Sequence, residues 1–524
     1  MTNQRIHDQL ILGAGMGGLQ LGYYLQTRGR DYTILEANER PASFFEHYPR
    51  HRTLLSINKV YTGYDDPEVN LRWDWNSFLS DEYSPLFSEY TEEYLPSADD
   101  LCRYVQDFVE THGLEVRYGT RIERVSRTSD GVFELRDQNG EVHKARRLVV
   151  ATGLFQPHEP DIPGIQHAEQ YAEVSVDPRD FAGQRVLILG KGNSGFETAD
   201  NLLPTASLIH LVSPTSIRMA WQTHYVGNLR AINNSLLDSY QLKSQNAVLD
   251  ATVERIERDG DGFAVTVLYS HAQGERETLY YDRIICCTGF TFDTSIFDES
   301  CQPEVVHRTR LPRQTDAFES VNVSGLYFAG TLTQERDYRT ATSAFIHGFR
   351  YNAQALQRIL DARYYDTPWP RRDVAADPEK LTEAVLEGVN RSSALWQLFG
   401  VLGDVLEVGE NGGAGYFESM PVDHAVQKVF ADSDHYYVIT LEYGEDHQFN
   451  DPFAVERVPR DRVEQSHLSQ FLHPIVRRYR GSEMIAEHHV IEDLAAEWKE
   501  PEHVEPLLRF FETQLDEVPD LADV

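Results

Sequence analysis

Apolar residues along this chain fall first in short unbroken runs, and only later in helical or alternating order. Residues 9–12 form an apolar strand, 19–28 follow with a helical period, and 32–35 form a second strand ending on Glu36. The same order returns further on: strand 185–189, helix 196–203, strand 208–212. Unbroken apolar runs read as strands covered on both faces, the habit of parallel sheets. Three more such strands, at 148–153, 284–289 and 326–330, each run into a glycine, and a helix spans 342–360. Residues 366–379, rich in proline and polar groups, read as a linker. Beyond it, 429–430 and 436–443 alternate like strands, while 466–479 and 503–515 look helical. The pattern predicts an α/β fold with two Rossmann-like dinucleotide-binding units, the second inserted in the first, and an α+β C-terminal region.

The turns between these elements carry the chemistry. Gly13-Ala14-Gly15-Met16-Gly17-Gly18 joins the first strand to its helix, with Glu36 placed 23 positions after Gly13. In a G-x-G-x-x-G turn the first glycine makes the bend, the second lets the backbone approach a pyrophosphate, and the third lets helix and strand pack. The pyrophosphate sits at the helix N-terminus, where free N–H groups favour an anion, and Glu36 suits ribose hydroxyls. The second unit has Gly190, Gly192, Asn193, Ser194 and Gly195 in the same register, but Ser213 stands where an acid would, with Arg218 five residues on. A carboxylate there would repel a 2′-phosphate; a serine does not, and an arginine can pair with it. The first unit therefore reads as an FAD site and the second as an NADPH site, with Gly153 and Gly330 closing strands of the first unit.

Composition narrows the possibilities. The 524 residues carry 48 Lys+Arg against 83 Asp+Glu, a formal charge of −35, which argues against nucleic acid or anionic membranes as partners. From residue 401 onward there are 27 acidic and 9 basic residues, so about half of that charge sits in the last quarter. The four cysteines, Cys102, Cys286, Cys287 and Cys301, contain no C-x-x-C pair. That spacing suggests neither a zinc site nor a redox dithiol, and no metal is expected. A polar start and the lack of any long apolar run lead to the expectation of a reduced, cytoplasmic protein.

The order of these motifs, with YPRHRTLLSINKVYTG (48–63), LRWDWNSFLS (71–80), VSVDPRDFAGQRVLILGKGNSGFETA (174–199), THYVGNLRAINNSLLDSYQLKS (223–244), DYRTATSAFIHGFRY (337–351) and FLHPIVRRYR (471–480), resembles two-dinucleotide-binding flavoproteins. Within them it is similar to flavin-containing monooxygenases, and more closely to the FAD-dependent oxidoreductase domain-containing type. Residues 164–183 lack the Phe-x-Gly-x-x-x-His fingerprint of the monooxygenases. The resemblance implies an FAD part at 1–154 and 291–364, an NADPH part at 155–290, a linker at 365–394, and a cap or dimerisation region at 395–524. It implies transfer of one oxygen atom from a flavin C4a-(hydro)peroxide, formed with O2, to a small-molecule substrate. Asn58 is the candidate donor to that group, with Ser56 its rival. His224, in the polar and aromatic stretch 221–244, is either part of the nicotinamide and substrate wall or a structural histidine. Alternatives are an NADPH oxidase or dehydrogenase and a flavin-stabilised interaction protein.

Overall fold

The structure, a computed structural model, describes residues 5–241, 246–307, 310–409, 412–445, 447 and 451–516. Residues 242–244 of the stretch 221–244, and 517–524 at the acidic end, lie outside the described residues.

The first unit begins with β1 (Ile6–Leu12), α1 (Met16–Thr27) and β2 (Tyr32–Leu35). It continues through α2 (Ala98–His112), β3 (Val116–Arg117), β4 (Ile122–Arg127), β5 (Phe133–Asp137) and β6 (Val142–Val150). The sheet runs β3-β2-β1-β6-β5-β4. Neighbours β1, β2 and β6 are parallel, with Leu10–Leu12 flanked by Thr33–Leu35 and Leu148–Val150. The second unit supplies β7 (Glu169–Gln170), β8 (Arg185–Leu189), α3 (Asn193–Leu202) and β9 (Leu208–Ser213). It also supplies β10 (Ala247–Asp259), β11 (Gly262–Tyr269), β12 (Arg276–Tyr281) and β13 (Arg283–Cys286). They order as β12-β11-β10-β9-β8-β13-β7. The chain then returns: β14 (Leu326–Phe328) adds to β6 in the first sheet, and α4 (Ile346–Tyr364) follows. Beside each glycine turn the strands are parallel neighbours joined by crossovers, as the unbroken apolar runs suit, and antiparallel strands extend each sheet at one edge, β5 and β4 beyond β6 and β11 and β12 beyond β10.

The C-terminal sheet corrects several expectations. The stretch 365–394 is not a linker: it holds edge strand β15 (Arg372–Ala375) and helix α5 (Pro378–Arg391), with Leu381, Val385 and Val389 fully buried. Asp377 caps that helix by accepting from Lys380 N, and Pro378 occupies its first turn. Asp-Pro thus starts a helix where its composition suggested a loop. The sheet is completed by β16 (Leu402–Val408), β17 (Gly413–Pro421), β18 (Tyr436–Glu442), β19 (His473–Arg480) and β20 (Glu483–His489), ordered β15-β17-β16-β18-β19-β20. Residues 466–468 end a short helical turn and the stretch becomes strand from His473, where Ile475 and Val476 pair with Thr440 and Ile439 across the ladder. Val429 ends a helical turn, not a strand. Helix α6 (Pro501–Asp516) closes the region.

One face of this sheet shares a core with the first unit. Leu402, Val405, Met420 and Val438 pack in the same apolar cluster as Leu19, Tyr24, Phe349 and Leu356 of α1 and α4. The other face is covered by α5 and α6 through Val385, Val389, Leu507 and Phe511, joined by Trp498 just ahead of α6. Each such fully buried side chain contributes roughly 1.5–3 kcal/mol, so the C-terminal sheet and the first unit hold one another in place. Among the described residues, no helix is long and apolar enough to cross a membrane.

Candidate active site

The two glycine turns match bond for bond. Gly13 N donates to Leu35 O at 2.9 Å and Gly190 N to Val212 O at 2.8 Å. Ala151 N meets Leu12 O, and Cys287 N meets Leu189 O, both at 2.8 Å. Gly13 and Gly190 lie at φ +107° and +111°, and a Cβ on either would run into the carbonyl of Ala151 or Cys287. Gly18 and Gly195 sit against the carbonyls of Gly13 and Gly190 in the same manner. The protein's own packing requires these four.

Gly15 and Gly192 are different. A Cβ on Gly15 would meet nothing nearer than Ala151 O at 3.9 Å, and one on Gly192 nothing within 4 Å. Both are extended residues capping α1 and α3, with no side-chain cap and no acid in the first turn. Each leaves an open space in front of unsatisfied helix N–H groups, which is the cradle a pyrophosphate needs. Glu36, 5% exposed, completes the first site. It accepts from Ala14 N at 2.8 Å and Asn38 N at 2.9 Å, which aim its carboxylate at the end of β2. Gly17 presses on Gly330 so closely that a side chain on Gly17 would strike that backbone, and Gly330 and Gly153 both take positive φ. The cradle, the acid and the close glycines fit an FAD dinucleotide at the first unit.

At the second unit Ser213 ends β9, and its hydroxyl donates to Thr215 O at 3.1 Å. A carboxylate invisible to local motif reading stands beside it: Asp250 is the residue in register with Ser213 on β10. Lys191, inside the glycine turn, pairs with Asp250, and Ser216 Oγ donates to it at 2.5 Å. The Lys191 side chain is 3% exposed, so this charge is nearly enclosed. Arg218, five residues beyond Ser213, is exposed. Asn193 is committed to the chain that follows: its Oδ1 accepts from Arg230 N at 2.9 Å and its Nδ2 donates to Asn228 O at 2.9 Å. Ser194 borders a narrow crevice with Tyr171, Cys286, Cys287 and Phe290.

Arg230 then joins the units. Its Nη1 donates to Leu55 O at 2.6 Å, and its guanidinium lies 5.6 Å from the Trp75 ring centre. Trp75 stacks on the buried His347 at 4.0 Å. Burial drives His347 well below the usual imidazole range, and neither of its ring nitrogens has a partner among the described residues. The segment 54–58 is thus held between the two units. Within it, Ser56 Oγ donates to Asn76 Oδ1 at 2.5 Å, and Asn58 Nδ2 donates to Thr91 O at 2.7 Å. The unpartnered atom of Asn58 is its buried Oδ1, an acceptor. His224 stacks on Tyr443 of the C-terminal region at 4.4 Å; burial pushes it down to about 4, with His447 adding to the shift. It is neutral at pH 7. Tyr225 OH accepts from Gln334 Nε2 at 2.5 Å, a second tie between the 221–244 stretch and the first unit.

A further group that motif reading passes over is Glu197 on α3. Tyr171 OH donates to it, while Tyr171 also accepts from Arg50 N at 3.2 Å. Burial pushes the Glu197 carboxyl from 4.5 up to about 7, against the lowering effect of the Tyr171 bond. The folded state therefore keeps a proton that the unfolded chain has already released. This contribution to stability is present below about pH 4.5 and lost as pH rises to about 7, by at most about 3 kcal/mol. Glu197→Gln preserves the acceptor for Tyr171 and removes the titration. Denaturation midpoints taken between about pH 5 and about pH 8 should fall less steeply in the variant. Parallel pH profiles would refute the assignment.

Two nucleotide cradles, one nested in the chain of the other and bridged by Arg230 and Tyr225, define a two-dinucleotide-binding flavoprotein. The family model for pyridine nucleotide-disulphide oxidoreductases matches residues 10–330. The mouse FAD-dependent oxidoreductase domain-containing protein 2 is 39% identical over 561 residues, covering 97% of this chain and 84% of that protein. The chain belongs to this FAD-dependent oxidoreductase domain-containing family, within the pyridine nucleotide-disulphide oxidoreductases. A rice indole-3-pyruvate monooxygenase, YUCCA1, is 28% identical over 262 residues, 46% of this chain and 58% of its own. A flavin-containing monooxygenase from Stenotrophomonas maltophilia shares the fold, with TM-score 0.53 and 20% identity over 70% of this chain and all of that one.

Proposed function

We propose that this FAD-dependent oxidoreductase takes hydride from NADPH and transfers one atom of O2 to a small-molecule substrate. The observation that carries the reading is the state of its thiols. All four cysteines are free. Burial raises the thiols of Cys286, Cys287, Cys301 and Cys102 above their ordinary range. Relay of electrons to a disulphide needs an accessible thiolate, and none of these supplies one at neutral pH. Bound FAD supplies hydride acceptance and activation of O2. The chain's own residues divide the remaining work. The backbone at Gly15 and Gly192 holds the two pyrophosphates, and Glu36 orients the ribose of the first nucleotide. Arg230, Trp75 and His347 close the junction between the units against water. The oxygenating rice relative supports the same direction.

The test is anaerobic reduction by NADPH followed by O2, with oxygenated product and H2O2 both counted against NADPH oxidised. Product formation from a supplied nucleophilic small molecule is expected. Stoichiometric H2O2 with every substrate tried would make the protein an oxidase, and retained FAD without NADPH oxidation would make it an interaction protein.

Coenzyme choice follows from the rim of the second cradle. Lys191 compensates Asp250, so the carboxylate next to Ser213 does not present a bare charge to a 2′-phosphate, and Arg218 adds a cation there. A charge-assisted contact is worth about 1.5–3 kcal/mol, or roughly tenfold to a hundredfold in affinity. NADPH should reduce the flavin in preference to NADH, and Arg218→Ala should weaken NADPH by that factor with NADH nearly unchanged. Stopped-flow reduction with both coenzymes decides it; equal behaviour of the two would leave no role for Ser213 or Arg218.

A further inference from the structure

A cavity of about 480 Å³ lies between the first unit and the C-terminal sheet, and no residue of either glycine turn lines it. Its floor is formed by α1 and α4. Tyr24 is buried there, and its hydroxyl accepts from Gln354 Nε2 at 3.0 Å. Across from them Asp404 is buried on β16, with both oxygens already bonded, to Tyr416 OH at 2.7 Å and Ser419 N at 2.8 Å. Burial pushes Asp404 up to about 7, so it supplies less than a full negative charge.

The other charges in the wall sort into two groups. Arg391 is bound to Asp66 at 2.6 Å, Glu68 to Ser393 Oγ at 2.6 Å, and Arg372 faces Glu387 at 3.7 Å. These are spoken for within the protein. Arg358 is not. Its guanidinium donates to Glu418 O at 2.9 Å and lies over the Trp369 ring, yet no carboxylate among the described residues lies within ion-pair distance. Burial lowers it, and Tyr24, Glu418 and Asp81 act against that shift. The carboxylates of Asp81 and Glu418 likewise have no hydrogen bond or ion pair among the described residues. Arg358 thus keeps guanidinium N–H groups without a direct carboxylate bond, on the side open to an anion in the cavity. Asp81 and Glu418 are exposed and stabilise the Arg358 charge from beyond ion-pair distance, so the opening presents one cation beside two carboxylates, a pattern complementary to a ligand carrying both charges.

We propose that this cavity is a second ligand site, separate from the flavin chemistry, that binds a small zwitterion of the amino-acid class. The ligand's carboxylate lies on Arg358 and its ammonium group on Asp81 and Glu418. The volume lies within the range of small-molecule sites, about 300–1,000 Å³. Because Tyr24 and Arg358 belong to α1 and α4, an occupant rests on the helix that carries the first glycine turn.

The experiment is calorimetric titration of the FAD-loaded full chain with glycine, L-leucine, L-lysine and L-glutamate, each up to about 10 mM. At least one should bind with one-to-one stoichiometry. Its N-acetyl and methyl-ester derivatives, which each lack one charge, should bind at least roughly tenfold more weakly. Arg358→Gln and Asp81→Asn should each weaken binding by roughly the same factor while keeping FAD. Asp81 is exposed, so its variant stays informative if Arg358→Gln does not fold. Absence of binding by all four, equal binding of the derivatives, or equal binding by Asp81→Asn overturns the proposal. None of these readouts depends on NADPH turnover.

Discussion

Gly15→Val is expected to give a folded, colourless protein. The backbone at Gly15, φ −75° and ψ 174°, is open to any residue, and a Cβ there meets no protein atom closer than 3.9 Å. The chain should therefore fold with valine in place. The branched side chain would occupy the space in front of the N-terminus of α1, where pyrophosphate oxygens must sit. Two or more charge-assisted hydrogen bonds, each about 1.5–3 kcal/mol, would be lost, so FAD affinity should drop by more than about a hundredfold. The purified variant should lack the visible flavin band and still unfold cooperatively. Stoichiometric FAD in Gly15→Val would show that the first cradle is not the flavin site. Gly18→Val is the contrasting control: its side chain would strike Gly13 O, and loss of the fold itself is expected.

Gly192→Val should do the converse. It too has a relaxed backbone, φ −92° and ψ −176°, and no neighbour within 4 Å of a Cβ. The variant should keep FAD and be reduced normally by dithionite. Reduction by NADPH should slow by about a hundredfold or more, because the pyrophosphate of the coenzyme can no longer reach the turn before α3. The pair of variants separates the two cradles. If Gly192→Val lost FAD instead, or kept full NADPH reduction, the assignment of the second unit would fall.

Both cradles were legible in the chain because everything they need is local. A strand, six residues of turn and a helix decide which glycines bend and which stay open, and Glu36 follows at a set distance along one βαβ unit. The parallel strands beside each turn were legible as unbroken apolar runs, while the antiparallel strands that extend each sheet were not. Legibility failed where a partner lies far away in sequence. Asp377-Pro378 has the composition of a loop, and becomes a helix start because Leu381, Val385 and Val389 have a sheet to bury against. Residues 466–479 carry a helix-like spacing, and Ile475 and Val476 become strand because β18 offers a ladder edge. Adjacent His488 and His489 point to opposite faces of β20, and His489 meets His473 at 2.8 Å, a partner that only the strand pairing brings near.

The junction was harder still. Nothing near Arg230 in sequence points to Leu55, nor anything near Glu197 to Tyr171, nor near Lys191 to Asp250. The amino-acid sequence by itself determined that this chain makes two dinucleotide cradles, and which glycine in each is kept open for a ligand. Those properties live in backbone sterics within a few residues. Only the tertiary structure decided which side chains lie between the cradles, that the C-terminal sheet shares the core of the first unit, and that Arg358 makes no direct ion pair among the described residues. Burial and pairing depend on neighbours brought from tens to hundreds of residues away, and local pattern does not encode which neighbours arrive.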